Sequence, residues 1–220
     1  MPKLLIFDWD GTLCDSLSRI VYCLRCAAES VGLPPPSELD ARNIVGLGMV
    51  DALTTLFPGM AREQIDAMRD SYSRHFVEAD REPSPFFSGV SETLCRLKDQ
   101  GYLLTVATGK SRRGLDRVLR ARQLDRFFDG TRCADETAGK PHPLMLIELM
   151  KEFECSPEES IMIGDTEYDL AMAANAGMSS IGVSYGAHDL GRLSQYRPLA
   201  CLDKFSDVEV IIKNIKNSKL

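Results

Sequence analysis

The sequence predicts an α/β fold with a mostly parallel sheet and an all-helical insertion after the first strand. Two observations lead to this prediction. From residue 86 onward, short apolar runs alternate with helical patterns, which is typical of βαβ units whose sheet is covered on both faces. Between residues 16 and 85, apolar residues recur at helical spacing and no strand-like alternation occurs.

Length and composition limit the classes of protein that the chain can represent. Its 220 residues suffice for one domain with an insertion, and the net charge of -6 argues against nucleic acid or an anionic membrane as the main partner. The seven cysteines predict reduced, mostly buried thiols in a cytoplasmic protein. No signal peptide is evident, and no apolar run approaches the ~20 residues that span a bilayer.

The first element is a strand from Leu4 to Phe7, because four consecutive apolar residues favour a strand buried on both faces. Asp8 and Asp10 follow it, at the strand end where ligands bind in open α/β sheets. Two carboxylates this close repel each other unless a cation or a shared proton intervenes. A hard divalent ion such as Mg2+ is the simplest solution. The alternative is a strand, a turn and a helix cap with solvated carboxylates.

The insertion contains several predicted helices. The first covers residues 15–32, with Ser16 as a candidate N-cap. Residues 37–81 keep a helical character that includes Ile44 and Val45. Prolines and a Pro-Gly pair separate these helices and close the segment.

Strands and helices alternate in the remainder. The predicted elements are helix 91–100, strand 102–107, helix 111–122, strand 127–133, helix 144–153, strand 160–163, helix 167–176 and strand 179–183. The economical interpretation is one α/β domain, formed by residues 1–15 and 86–220, whose first crossover is expanded by a helical insertion over 16–85.

One further strand end carries a hydroxyl group. Thr108 follows the second strand directly, and Gly109 and Lys110 come next, before a helix. The Thr108 hydroxyl and the two backbone N–H groups would suit a phosphate oxygen. The alternative is that Thr108 or Ser111 is only an N-cap.

Two later segments carry charged groups. Lys140 precedes Pro141 in a loop, where it would be a fixed positive charge for an anion or, alternatively, an exposed loop lysine. Asp165 ends a buried strand, and Asp169 follows on the same face at a helix start. The alternative for both acids is a role as helix caps.

The order of these features resembles the haloacid dehalogenase superfamily of phosphohydrolases. The matching features are Asp-x-Asp-Gly-Thr at residues 8–12, the strand-ending Thr108, the Lys140-Pro141 loop and Gly164-Asp165-x-x-x-Asp169. Residues 7–16, Phe-Asp-x-Asp-Gly-Thr-Leu-x-Asp-Ser, look most like the phosphoglycolate-phosphatase-like branch. The resemblance covers nearly the whole chain and implies a Rossmann-like core with the insertion as a helical cap.

The resemblance also implies a mechanism. The expected activity is a Mg2+-dependent phosphatase on small phosphomonoesters, acting through an aspartyl-phosphate on Asp8. Asp10 would be the general acid and base, and Thr108, Gly109 and Lys140 would hold the phosphoryl oxygens. These phosphate-binding and acid–base groups are those that phosphate ester hydrolysis needs.

The implied metal ligands are the carboxylates of Asp8 and Asp165 and the backbone carbonyl of Asp10. Asp169 would fix Lys140 or a water beside the metal. Many relatives have asparagine after the strand-ending threonine, where this chain has Gly109, so side-chain contacts to substrate from that loop are not expected. In the cap, Arg42 is the candidate for recognising an anionic group of the substrate. The alternative is that Arg42 is a surface arginine.

Several alternatives stay open at this point. A β-phosphoglucomutase-like phosphomutase and an inorganic pyrophosphatase share these motifs, and a dehalogenase is disfavoured because Asp10 is present. A non-catalytic binding module is disfavoured because it would not need Asp8, Asp10, Lys140 and Asp165 together. The expected partner is a small phosphorylated metabolite, with no nucleic acid and no membrane, and the chain is expected to be a monomer or a homodimer.

Overall fold

A parallel sheet of six strands forms the centre of the part of the chain that the structure describes. The computed structural model describes residues 1–217. In chain order the strands are β1 Leu4–Phe7, β2 Leu103–Thr108, β3 Gly130–Cys133, β4 Ser160–Gly164, β5 Ser179–Val183 and β6 Cys201–Leu202. Their spatial order is β3-β2-β1-β4-β5-β6, and each neighbouring pair is parallel. The predicted α/β class is confirmed, and β1 lies in the middle of the sheet.

The helices fall into two groups along the chain. Those between β1 and the rest of the sheet are α1 Leu17–Ser30, α2 Glu38–Asn43, α3 Met49–Leu56 and α4 Arg62–Ala79. Those that alternate with the later strands are α5 Val90–Asp99, α6 Arg112–Ala121, α7 Leu144–Glu152, α8 Glu167–Asn175, α9 Leu190–Ser194 and α10 Val208–Asn217. Over residues 1–217, no helix combines the length and the apolar character that crossing a membrane requires.

The composition of β1 explains why helices cover both faces of the sheet. Its four side chains are fully buried, and successive side chains of a strand point to opposite faces. Leu5 and Phe7 pack in the core that includes α5 and α10, whereas Leu4 and Ile6 pack with α7 and α8. Full burial of such a side chain stabilises a fold by about 1.5–3 kcal/mol. This strand therefore joins the two cores and fixes the position of the residues that follow it.

The four inserted helices have a hydrophobic core of their own. Leu24, Leu53 and Met68 are fully buried within it, and α1 and α4 pack along each other. The chain passes between the sheet and the inserted helices twice, and these two connecting segments lie side by side. The Asp15 N–H of the first donates to the Pro85 carbonyl of the second at 2.8 Å. The helical insertion is confirmed as part of the fold class, and the division at residues 16 and 85 stays a prediction.

The structure differs from the sequence prediction in three places. The strand predicted over 127–133 begins only at Gly130. Ile44 and Val45 are not helical: α2 ends at Asn43, and the two residues are buried in the turn that follows. The prediction also stopped at residue 183, whereas α9, β6 and α10 lie beyond it. A strand of two residues such as β6 is too short to show a periodic pattern.

Candidate active site

The predicted site residues approach one another at the carboxyl edge of the sheet. Because β1 is in parallel register with β2 on one side and β4 on the other, the chain leaves these three strands at the same level. Asp8 follows β1, Thr108 ends β2 and Asp165 follows β4. This edge is where open α/β sheets bind their ligands.

Asp8 lies below the surface, with only 1% of its area exposed. Its Oδ1 accepts a hydrogen bond from Lys140 Nζ, whereas its buried Oδ2 has no hydrogen-bond partner among the described residues. Burial raises the pKa of Asp8 well above its usual value; Lys140 opposes this rise, and the charges of Asp169 and Asp165 add to it. The unpartnered oxygen and the raised pKa indicate that the carboxylate needs a further positive group to be fully ionised.

Lys140 is a buried cation between two carboxylates. Its Nζ pairs with Asp8 Oδ1 and lies 2.6 Å from Asp169 Oδ1, and its side chain is fully enclosed. Burial would lower the pKa of Lys140, but the charges of Asp169 and Asp8 outweigh burial and raise it. Lys140 therefore stays protonated, and its ammonium group is fixed next to the carboxylate of Asp8.

Asp165 is held in place by neighbouring backbone and hydroxyl groups. Its Oδ1 accepts a hydrogen bond from Thr12 Oγ1 at 2.7 Å, and its Oδ2 accepts one from the Ala187 N–H at 2.8 Å. Burial, with a contribution from the charge of Asp169, raises the pKa of Asp165 to about 7. Gly11 has a φ of +88°, and a Cβ on it would lie 2.2 Å from Asp165 Oδ2, so only glycine leaves room for this carboxylate.

Asp8, Asp165 and Asp169 together form a buried acidic cluster. One oxygen from each lies within 4.8 Å of the others, and none of the three residues is more than 1% exposed. Three carboxylates around a single ammonium group leave an excess of negative charge. Oxygen ligands of this kind suit a hard divalent cation, whose charge would allow all three acids to ionise. The donor set and the unpartnered oxygen of Asp8 therefore fit a metal site.

Asp10 has surroundings different from those of Asp8. Its Oδ1 accepts a hydrogen bond from Ser16 Oγ at 2.6 Å, and its Oδ2 lies 2.8 Å from Lys110 Nζ. Its side chain is 12% exposed and stands outside the acidic cluster. Ser16 does occupy the N-cap position of α1, but its hydroxyl bonds to Asp10 and makes no capping bond. The two aspartates at the end of β1 are therefore bound to separate partners.

The loop after β2 brings a hydroxyl and a glycine into the site. Thr108 is fully buried, and its Oγ1 accepts a hydrogen bond from the Lys110 N–H at 3.2 Å. A Cβ on Gly109 would lie 2.5 Å from the Leu47 carbonyl oxygen and 2.6 Å from that of Gly46. The loop between α2 and α3 therefore closes directly over Gly109, which explains why an asparagine has no room at this position.

A cavity of about 560 Å³ opens between the sheet edge and the inserted helices. Asp8, Asp10 and Thr108 line the sheet side, and Tyr72 and Phe76 of α4 line the opposite side. The volume is in the range of small-molecule sites. Asp165, Asp169 and Lys140 are not among the residues that line it.

Arg42 is placed differently from the other predicted site residues. It is not among the residues that line the cavity. Its guanidinium lies 3.7 Å from Glu38 Oε1 and 3.5 Å from the Gly186 carbonyl. Arg42 thus contacts the loop after β5, and its predicted role in substrate recognition gains no support from this position.

Sequence reasoning missed three polar groups of the site. These are the hydroxyls of Thr12 and Ser16 and the ammonium group of Lys110. Thr12 and Ser16 stand in the motif that was already singled out, and Lys110 follows Thr108 by two residues. That proximity in sequence was the available signal, but nothing local shows which carboxylate each group contacts.

The chain resembles known hydrolases and phosphatases over most of its length. A family model described as haloacid dehalogenase-like hydrolase matches residues 5–183. The chain is 36% identical over 212 residues to the probable phosphatase IndB of Dickeya dadantii (strain 3937), covering 94% of this chain and 92% of that protein. It is 29% identical over 215 residues to the pyrophosphatase PpaX of Bacillus cereus (strain G9842), covering 97% of this chain and 98% of that protein.

Solved structures give the same result. A predicted phosphoglycolate phosphatase from Haemophilus somnus 129pt is similar with a TM-score of 0.83 at 27% identity, covering 96% of this chain and 98% of that one. The resemblance drawn from the motifs is confirmed. Because the family model spans most of the sequence and a relative above 30% identity covers nearly all of it, the chain is an enzyme that belongs to the haloacid dehalogenase-like hydrolase family.

Proposed function

We propose that this hydrolase is a Mg2+-dependent phosphatase that cleaves small phosphomonoesters, typified by phosphoglycolate, through an aspartyl-phosphate on Asp8. One observation carries the proposal: Asp8 has one oxygen bound to buried Lys140 and the other without a hydrogen-bond partner in residues 1–217, within a cluster that includes Asp165 and Asp169. This arrangement offers a nucleophile, a fixed cation and metal ligands in one place. The likeness to a probable phosphatase supports the same reaction class.

The different partners of the two aspartates support different roles for them. Asp8 attacks phosphorus while the ester P–O bond breaks, and Asp10 gives its proton to the leaving oxygen. Asp10 then takes a proton from water, whose oxygen attacks the aspartyl-phosphate and releases inorganic phosphate. Both aspartates line the cavity, and Asp10 is suited to this exchange because its side chain is 12% exposed, against 1% for Asp8.

Thr108, Gly109 and Lys140 are the proposed phosphate-binding groups. The ammonium of Lys140 already lies against Asp8, so it is placed to pair with a phosphoryl oxygen there. Asp169 fixes that ammonium from the opposite side at 2.6 Å. The backbone of Gly109 is close to Thr108 and offers a donor without a side chain in the way.

The proposed Mg2+ ligands are the carboxylates of Asp8 and Asp165 and the backbone carbonyl of Asp10. The ion would neutralise charge on the phosphoryl oxygens. Thr12 and the Ala187 N–H orient the carboxylate of Asp165, and orientation of this kind governs metal affinity. Magnesium suits a site with one or two carboxylate ligands of this type.

The inserted helices are the proposed cap, with residues 16–85 forming a domain over a core of 1–15 and 86–220. Their α4 supplies one wall of the cavity, and the α2–α3 loop contacts Gly109. A cap in this position excludes water and contacts the leaving group. The small cavity supports a metabolite-sized substrate. The seven free thiols support a reducing compartment, which we propose to be the cytoplasm.

Inorganic pyrophosphate is the second candidate substrate. The likeness to a pyrophosphatase over nearly the full length of both proteins favours it. Pyrophosphate and phosphoglycolate each carry a second anionic group next to the phosphoryl group that is transferred. The two candidates therefore place the same chemical demand on the cavity.

The test is phosphate release from phosphoglycolate, pyrophosphate, 2-hydroxyethyl phosphate and glucose 1-phosphate, with Mg2+ or with EDTA. We expect release that requires Mg2+ from at least one member of the panel. No release from any member, or conversion of glucose 1-phosphate to its isomer without release, would overturn the phosphatase proposal. Equal release in EDTA would overturn the proposed metal dependence.

Metal binding is measured separately, without activity. Mg2+ should raise the midpoint of thermal unfolding of the wild type, since a ligand that binds only the folded state stabilises it. The same addition should have little effect on Asp165→Asn. Asp125→Asn, at a half-exposed surface position, is the matched control and should respond like the wild type.

A further inference from the structure

Lys110 is a cation at the wall of the cavity, next to the proposed acid. Its Nζ lies 2.8 Å from Asp10 Oδ2 and 4.8 Å from the centroid of the Phe76 ring, and its side chain is 11% exposed. It thus connects the loop after β2 with α4 of the inserted helices across the cavity. The roles proposed above for Asp8, Asp10 and Lys140 account for phosphoryl transfer and make no use of this ammonium group.

The other cations near the cavity are engaged elsewhere. Arg117 Nη2 lies 3.0 Å from the buried carboxylate of Asp80. Arg69 pairs with Asp66 at 2.6 Å and with Asp70 at 3.0 Å.

Lys140 is enclosed between Asp8 and Asp169 and is not among the lining residues. Lys110 lines the cavity beside Asp10, and Asp10 also accepts a hydrogen bond from Ser16 Oγ at 2.6 Å. Asp10 therefore keeps a donor when Lys110 turns toward a ligand.

Much of the cavity wall is apolar. Its apolar side chains include Ile20, Leu24, Leu47, Met49, Tyr72 and Phe76, and the carboxylates of Asp51, Asp70 and Asp135 also line the cavity. The apolar part of the wall strengthens the attraction between an ammonium group and an anion, because the effective dielectric there is lower than in water. An anionic group on the leaving side of the substrate would find its charge complement in Lys110.

We propose that Lys110 is a specificity-determining residue that binds a second anionic group on the substrate, so that the enzyme prefers phosphate esters or anhydrides whose leaving group is itself an anion. The inference rests on the proposed phosphatase function. The ligand chemistry is a carboxylate or a second phosphate one or two bonds beyond the scissile oxygen. On this basis, esters of neutral alcohols are poorer substrates.

A matched pair of substrates tests this inference. Phosphoglycolate and 2-hydroxyethyl phosphate have leaving groups of similar size, one with a carboxylate and one with a hydroxyl; pyrophosphate is the arm that carries a second phosphate. We would measure kcat and KM for wild type, Lys110→Met and Lys110→Arg. Lys151→Met, at an exposed position on α7, controls for the change in net charge.

The expected result is selective. Lys110→Met should raise KM for the anionic substrate that the wild type prefers by about ten- to a hundredfold more than it raises KM for 2-hydroxyethyl phosphate, as expected for loss of a charge-assisted hydrogen bond. Any fall in kcat that follows from the lost contact with Asp10 should be common to both substrates. Lys110→Arg should recover most of the loss, and Lys151→Met should match the wild type. Whichever of phosphoglycolate and pyrophosphate shows the larger rise in KM identifies whether Lys110 binds a carboxylate or a phosphate.

Two outcomes would overturn the inference, and they are distinguishable. An equal loss on the anionic and the neutral substrate would show that Lys110 acts through Asp10 or through the fold, while the phosphatase function stands. Absence of phosphate release by the wild type from these three substrates and from glucose 1-phosphate would overturn the proposed function, and the inference with it.

Discussion

Asp8 and Asp10 are two residues apart in sequence, yet their surroundings suit opposite tasks. Asp8 is buried against Lys140, and its other carboxylate oxygen has no hydrogen-bond partner among the described residues. Asp8 also belongs to the acidic cluster, as a nucleophile beside a metal site requires. Asp10 is bound by Ser16 and Lys110 at the cavity wall, where a proton can be exchanged with substrate and water. At the scale of single residues, the environment of each carboxylate decides its role.

Replacing the proposed nucleophile tests this assignment. Asp8→Asn should lower kcat by more than about a thousandfold, because an amide cannot attack phosphorus. The thermal midpoint should stay within a few degrees of the wild type, since Lys140 keeps Asp169 as its partner. Asp125→Asn serves as the surface control. Normal turnover by Asp8→Asn would contradict the mechanism.

The hydroxyl of Ser16 offers a milder test of the acid. Ser16→Ala removes the 2.6 Å hydrogen bond to Asp10 and should lower kcat about tenfold, in line with the cost of losing a hydrogen bond to a charged group. The loss should be larger for alkyl than for aryl phosphates, because poor leaving groups depend more on protonation. Ser18→Ala, at an exposed position of α1, is the control. Equal rates for Ser16→Ala and wild type on an alkyl ester would contradict this positioning role.

At the scale of elements, one short loop joins the inserted helices to the catalytic edge. The segment between α2 and α3 contacts three loops that follow sheet strands: Gly46 lies against Thr166, the carbonyls of Gly46 and Leu47 against Gly109, and Gly48 against Ala134. These approaches need glycine on one or both sides, because a side chain would separate the two backbones. The glycines of this loop therefore determine how closely the inserted helices cover the cavity.

Gly109→Asn tests the effect of this contact. A Cβ there would meet the Leu47 carbonyl at 2.5 Å, so the loop must move away and the cavity must open. We expect kcat/KM to fall about ten- to a hundredfold, as small displacements of catalytic groups do.

Gly101→Asn is the matched control, because no atom of the described residues lies within 4 Å of a Cβ at that position and asparagine tolerates its φ of +81°. Unchanged kcat/KM for Gly109→Asn would show that closure over Gly109 is not needed for activity.

At the scale of the whole molecule, the chain is acidic, yet it places two lysines at the edge of the sheet where an anion would bind. The net charge is -6, whereas Lys140 and Lys110 both lie beside the aspartates of the site.

The cysteines differ in their exposure to solvent. Cys14, Cys23 and Cys133 are buried and Cys95 is exposed. Burial raises the pKa of Cys14 and of Cys133 to about 12, which suppresses their thiolate forms at neutral pH.

Thiol labelling measures this distribution. In native protein at pH 7.5, iodoacetamide should modify Cys95 first and leave Cys14 and Cys133 unmodified, because they are both inaccessible and protonated. In guanidinium chloride all seven cysteines should react. Peptide mass spectrometry at several times reads out each position. Fast native labelling of Cys133 would show that the sheet edge opens more readily than the structure indicates.

The sequence alone determined the fold class, the helical insertion and the family. The apolar run of β1 predicts a doubly covered strand, and a polar residue at a strand end is visible locally because the chain must leave the sheet there. The order of Asp8, Thr108, Lys140 and Asp165 then pointed to one edge of one sheet.

Only the tertiary structure decided which of these groups contact one another. Lys110 and Asp10 are a hundred residues apart in sequence and meet only because β1 and β2 pair in parallel. The same packing closes the α2–α3 loop over Gly109 and places Arg42 against the Gly186 carbonyl, away from the cavity lining. Periodicity reports which face of an element is buried, whereas contacts between distant loops depend on the packing of whole elements, which no local pattern encodes.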